Sequence, residues 1–210
     1  MSAMTIKKMG WMGVALVATA ASGAFGAQDE NSQPEGLAIG VIGSMPCDQV
    51  ERVRAFVEKN TAIAVRRLDT VEPAEPAALL EDAAAWVDDQ GEPRDACVVW
   101  FYTGDESSEE HAIYQYEQAT AVVNVNALMT DDEEVYMRRL ERLAMRSVGL
   151  LLDVPPVPNP QSAMFSYRTL EELDRMGRNF DPPSLMRLQD NAVDKGIPLI
   201  EESPFLMLQE

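Results

Sequence analysis

The run CVVWFY at residues 97–102 constrains this chain more than any other stretch. Apolar and aromatic side chains without alternation describe a strand buried on both faces, the condition of a central strand in a parallel sheet. Such a strand needs helices above and below it, and the flanking sequence supplies them. Residues 37–42 form a second apolar run between turn signals. Asp48, with Glu51 three positions on, predicts a capped helix whose Val50, Val53, Phe56 and Val57 make one apolar side. Residues 61–66 alternate, with Ile63 and Val65 on one side, as another strand, and Pro76 opens a helix over 77–89 that Gly91 and Pro93 stop. Residues 112–116 and 120–125 predict two further short strands. The expected fold is α/β: a mostly parallel twisted sheet flanked by helices, with a small C-terminal helical subdomain.

A long helix follows, from Thr130 or Asp131 to about residue 150, with Asp131, Asp132, Glu133 and Glu134 at its positive N-terminal end. At 100° per residue, Tyr136, Leu140, Leu143, Ala144, Val148 and Leu151 share one side. Arg138, Arg139, Arg142 and Arg146 share the other, with Gly149. Beyond the helix lies the stiff stretch DVPPVPNP at 153–160, then Met164, then two short predicted helices over 170–176 and 184–193.

This layout resembles the archaemetzincins, a metzincin-like family of zinc peptidases. Their active-site helix carries H-E-x-x-H-x-x-G-x-x-H, followed by a cysteine, C-x-M, a segment like FSNSLEEVDRK and a C-x-x-C pair. Here Gly149, Met164, the run FSYRTLEELDRMGRNF at 165–180 and the tetrad Asp181-Pro182-Pro183-Ser184 fall in step with that pattern. The resemblance implies a metzincin-like fold, with Met164 in a methionine turn. It also implies that the chemistry is lost. The first two histidine positions hold Arg142 and Arg146, the general-base position holds Leu143, and the third histidine position holds Leu152. The cysteine positions hold Asp153, Ser162, Asp181 and Ser184. Zinc needs imidazole, carboxylate or thiolate lone pairs; a guanidinium has none to offer and leucine has none at all.

Composition excludes the same chemistry independently. The chain has one histidine, His111, and two cysteines, Cys47 and Cys97, too few for a three-histidine or four-cysteine zinc site. His111 follows the acidic run GDESSEE at 104–110, which reads as a weak hard-cation site or, more simply, as a solvated loop. Cys47 and Cys97 fall at opposite ends of the predicted parallel sheet, too far apart to be bridged. No catalytic and no metal-ligating residue is assigned, and no cofactor is expected; zinc enters only if a residual metallopeptidase, an aminopeptidase or an altered hydrolase persists.

The arginine stripe remains as the candidate site. Eight of the thirteen arginines lie between Arg138 and Arg187, in a chain of net charge −18. One reading is an anion or peptide-carboxylate pocket built on Arg138, Arg142 and Arg146. The other is structural: ion pairs of Arg142 or Arg146 with Asp153 or Asp181 fill a dead site. The acidic balance argues against nucleic acid and anionic membranes as partners and leaves a peptide or anionic ligand as the class to consider. Residues 1–27 read as a secretory signal peptide, with Lys7 and Lys8 ahead of a short apolar core, so the protein is expected to be secreted or periplasmic without a stable membrane anchor after cleavage. A polar lead-in spans 28–36, the α/β domain 37–152, and the loop, methionine turn and C-terminal helices 153–210. The reading is a non-catalytic, archaemetzincin-like binding or structural module. An acidic structural protein of the cell envelope is a further alternative.

Overall fold

The structure is a computed structural model that describes residues 36–72, 80–87, 95–104 and 108–200. The expected signal peptide, the start of the helix at Pro76, its stop at Gly91 and Pro93, and residues 105–107 of the acidic run lie outside the described residues.

Five strands make one sheet. β1 (Gly36–Ile42) runs parallel to β3 (Asp95–Tyr102) along its whole length, with Leu37 opposite Cys97 and Ile42 opposite Tyr102. β2 (Val65–Arg67) pairs with the outer side of β1, also parallel. β5 (Thr120–Asn124) pairs parallel with β3, and β4 (Ala112–Gln115) closes the far edge antiparallel to β5, giving the order β2-β1-β3-β5-β4. The unbroken apolar run of β3 is thus explained: it is central, and residues 97–102 are buried on both faces.

The two faces are packed by different helices. Leu37, Ile39, Val41, Val99, Phe101, Ala121 and Val123 join a core with α1 (Cys47–Thr61) and α3 (Glu133–Leu151). Ala38, Ile42, Val98, Trp100 and Val122 join a smaller one with α2 (Leu80–Val87). On that second face Gly40 makes room for its neighbour: a Cβ there would lie 2.2 Å from the Trp100 ring. The last helices, α4 (Leu170–Arg175) and α5 (Pro182–Asp194), contribute Leu173, Leu188 and Ala192 to the α1–α3 core.

Three local expectations are corrected. α1 begins at Cys47 with Pro46 as its N-cap and no side-chain cap, so Asp48 sits inside the first turn and Glu51 turns to Arg54, at 2.7 Å. Residues 61–66 are not one strand. Thr61 ends α1 with its hydroxyl on the Val57 carbonyl, Ala62 takes a left-handed φ of 60°, Ile63 bridges to Leu199, and the strand starts only at Val65. α3 is capped by Asp132, not Thr130 or Asp131; its carboxylate accepts from Glu134 N and Val135 N at 3.0 and 3.1 Å. Both cysteines are free thiols, Cys47 exposed and Cys97 buried, where burial pushes its pKa up to about 12.

Candidate functional site

The site is the side of α3 that turns away from the sheet. Leu140, Leu143, Ala144 and Val148 are buried in the core, as their spacing requires. The opposite side presents Arg139, Arg142 and Arg146 in successive turns, and each grips the same segment of chain, 165–176.

Arg139 holds Asp174 through two parallel hydrogen bonds, 2.9 Å from Nε and 2.7 Å from Nη2, while Nη1 donates to the Leu128 carbonyl at 2.9 Å. Arg142, buried, donates from Nε to the Met176 carbonyl and from Nη2 to the Asp174 carbonyl, both at 2.9 Å. Arg146 donates to the Phe165 carbonyl at 2.9 Å and places its guanidinium 5.7 Å from the centre of the Tyr167 ring. Burial lowers the pKa of Arg142, and Asp174 partly offsets the shift; the carbonyls leave the guanidinium charge itself uncancelled. Arg138 points to solvent beside Glu134.

Neither expected ion pair is made. Asp153, exposed at a φ of 61°, pairs with Lys195 at 3.1 Å. Asp181 accepts from the Ser162 hydroxyl at 2.8 Å and also from Ser184, and stands at the N-cap position of α5 without a side-chain bond to the helix backbone. Arg142 and Arg146 instead find backbone acceptors that lie closer along the helix. Three of the four positions matched to cysteines, Ser162, Asp181 and Ser184, therefore do come together, as a hydrogen-bonded cluster. Burial would raise the Asp181 carboxyl, but the bonds from Ser184 and Ser162 outweigh it and hold its pKa below 3.8.

Gly149 and Met164 lie against one another. A Cβ on Gly149 would lie 2.5 Å from the Met164 sulfur and 2.8 Å from Phe180, so only glycine lets the methionine lie against the helix. The proline-rich loop is pinned beside them, with Val157 N donating to the Met164 carbonyl and Gly177 N to the Pro160 carbonyl. Leu143 and Leu152 are fully buried.

Sequence reasoning missed two features. Asp174 is the carboxylate of the site, yet it reads as one more charge in an acidic helix; its spacing on α4 would have shown only which side it takes. Glu141, buried on α3, is clamped by Arg178 at 2.6 Å and Arg52 at 3.1 Å, tying α1, α3 and the segment after α4 together. The His111 ring stacks on Tyr167, 5.6 Å between centroids at 12°, with Nδ1 3.3 Å from the Tyr167 hydroxyl. His111 also lines a cleft of about 440 Å³ with Ser108, Glu109, Ala127, Arg168, Thr169 and Leu170.

As a zinc centre this donor set does not fit. Arg142 and Arg146 carry donors only, already spent in part on carbonyls, and Leu143 and Leu152 carry no donor atom. Among the described residues, no group of three or more His, Cys, Asp or Glu side chains converges.

No protein-family model matches the sequence, and no curated protein matches it. Solved structures do match the fold. The archaemetzincin of Methanopyrus kandleri superposes with a TM-score of 0.62 at 18% identity, over 75% of this chain and 96% of its own. A zinc-dependent peptidase from Methanocorpusculum labreanum gives 0.59 at 16% identity, over 73% and 100%. The archaemetzincin of Archaeoglobus fulgidus, complexed with malonate, gives 0.55 at 17%, over 72% and 99%. The mostly parallel five-stranded sheet flanked by helices is thus that of an archaemetzincin-like fold.

Proposed function

We propose that this chain is an exported, non-catalytic pseudo-metallopeptidase that serves as a binding or structural module. One observation carries the reading: the residues on α3 that match zinc ligands in sequence are guanidiniums lashed to the segment 165–176. Arg139, Arg142 and Arg146 direct their N–H groups at Asp174 and at the carbonyls of Asp174, Met176 and Phe165. A guanidinium keeps its proton throughout the accessible pH range, so it neither coordinates a metal nor accepts a proton from water. In this reading the former catalytic face has become a fastening. Recognition falls to the neighbouring cleft, where His111 and Arg168 suit a peptide or a small anion. Export is part of the proposal and rests on the basic and apolar pattern of residues 1–27.

Zinc titration with elemental analysis tests the reading, alongside hydrolysis of a peptide library with and without chelator. The expected result is less than stoichiometric zinc and no chelator-sensitive cleavage. One tightly held zinc per chain, with cleavage that chelation abolishes, would overturn it and restore the peptidase.

A further inference from the structure

We propose that His111 and Tyr167 form a clasp beside the cleft that releases in acid. His111 closes the segment 108–111 just ahead of the edge strand β4, while Tyr167 lies in the segment that leads into α4. The two rings stack, and the Nδ1–hydroxyl contact of 3.3 Å joins them. Arg146 braces the phenol from α3, through its contact with the ring and its bond to the Phe165 carbonyl. The His111–Tyr167 contact thus helps to join the sheet edge to the segment 165–176 beside the cleft.

Among the described residues, the charged and titratable groups around the stacked pair are Arg139 and Arg146 from α3, Arg168 from the segment before α4, Tyr114 from β4, and Glu109 and Glu110 on the segment of His111 itself. Arg139 is neutralised by Asp174, whereas Arg146 meets the Phe165 carbonyl, the Tyr167 ring and the Tyr114 hydroxyl and pairs with no carboxylate among the described residues. Burial first, then Arg139, lowers the pKa of His111 below 6.5. A group with a lowered pKa in the closed form favours, once protonated, any conformation that hydrates it. The clasp is therefore fully closed above pH 6.5 and weakens as pH falls through the lower, closed-state value. Letting go of Tyr167 costs a long hydrogen bond and one ring contact, far less than opening the core, so release is the route that hydration takes. The consequence, which rests on reading the cleft as the binding site, is that ligand access rises in acid.

The single histidine makes the test direct. In the full chain, the His111 Cε1–H resonance and its contact with the Tyr167 ring are followed by NMR from about pH 8 to about pH 5. The midpoint should fall below 6.5, with the ring contact disappearing through that same midpoint. Amide exchange at residues 166–169, corrected for its intrinsic pH dependence, should quicken by up to about tenfold per pH unit between 6.5 and that midpoint and level off below it. His111→Phe keeps a stacking ring without the proton, and its exchange should then be independent of pH. A midpoint at or above 6.5, a ring contact that survives titration, or the same release in His111→Phe would each overturn the clasp. Neither zinc nor substrate enters this experiment, so its failure is distinct from failure of the non-catalytic reading.

Discussion

The two sides of α3 hold the molecule together by different physics. Toward the sheet, Leu140, Leu143, Ala144 and Val148 are almost wholly buried and act by area and fit. Away from it, Arg139, Arg142 and Arg146 act by direction, each hydrogen bond specifying where one carbonyl or carboxylate of 165–176 must lie. The apolar side secures that the helix docks, and many apolar residues would serve. The arginine side decides what lies over the helix, and few side chains could replace a planar fork of donors. Within that second side, Arg139 meets a carboxylate and Arg142 meets carbonyls only. The difference separates a neutralised cation from one left charged in a buried place.

The contrast can be broken from either side. The largest effect is expected from Leu143→Ala, which leaves a cavity between helix and sheet and should cost about 2–5 kcal/mol in urea unfolding. A loss as small as that of an exposed residue would mean the helix is not anchored by this face.

Next come the arginines. Arg139→Met strands the Asp174 carboxylate and should cost about 1.5–3 kcal/mol, the usual worth of hydrogen bonds to charged groups. Arg142→Met strands two carbonyls but also removes a buried charge, so its cost should be the smaller of the two, about 1 kcal/mol. A double-mutant cycle should find coupling between Arg139 and Asp174, and none between Arg142 and either Asp153 or Asp181. Coupling to Asp181 would revive the ion pair that the sequence suggested.

The smallest effect concerns acid. The folded Asp181 carboxyl sits below its ordinary value of 3.8, so its contribution is present above that pH and is lost as pH falls through the folded value. Asp181→Asn should be less stable than the parent at neutral pH, yet lose stability more shallowly below about pH 4. Identical acid limbs in the two proteins would show that the Ser162–Asp181–Ser184 cluster contributes no proton-linked stability.

Much of the fold was legible because strands and helices advertise themselves by period. The unbroken run of β3, the apolar side of α1 and the two sides of α3 follow from spacing alone, and the structure agrees to within a few residues. The misses share a cause. The expected strand at 61–66 failed because Ala62 adopts a left-handed turn that apolar alternation does not encode. The capping box at Asp48 failed because α1 starts two residues earlier than that cap implies, at Cys47 with Pro46 as its N-cap. His111 was read with its sequence neighbours, whereas its partner Tyr167 is 56 residues away.

Residue types alone determined that α3 bears no imidazole and no catalytic carboxylate at the matched positions, since no folding can give arginine or leucine a lone pair for zinc. Only the tertiary structure decided what the arginines hold. Carboxylates can be found in a sequence, and that led to Asp153 and Asp181; backbone carbonyls belong to every residue and leave no mark there. Arg142 and Arg146 chose carbonyls because the segment 165–176 passes within reach of their side of the helix, and that path is set by the long-range packing of Leu173, Met176 and Phe180 into the common core.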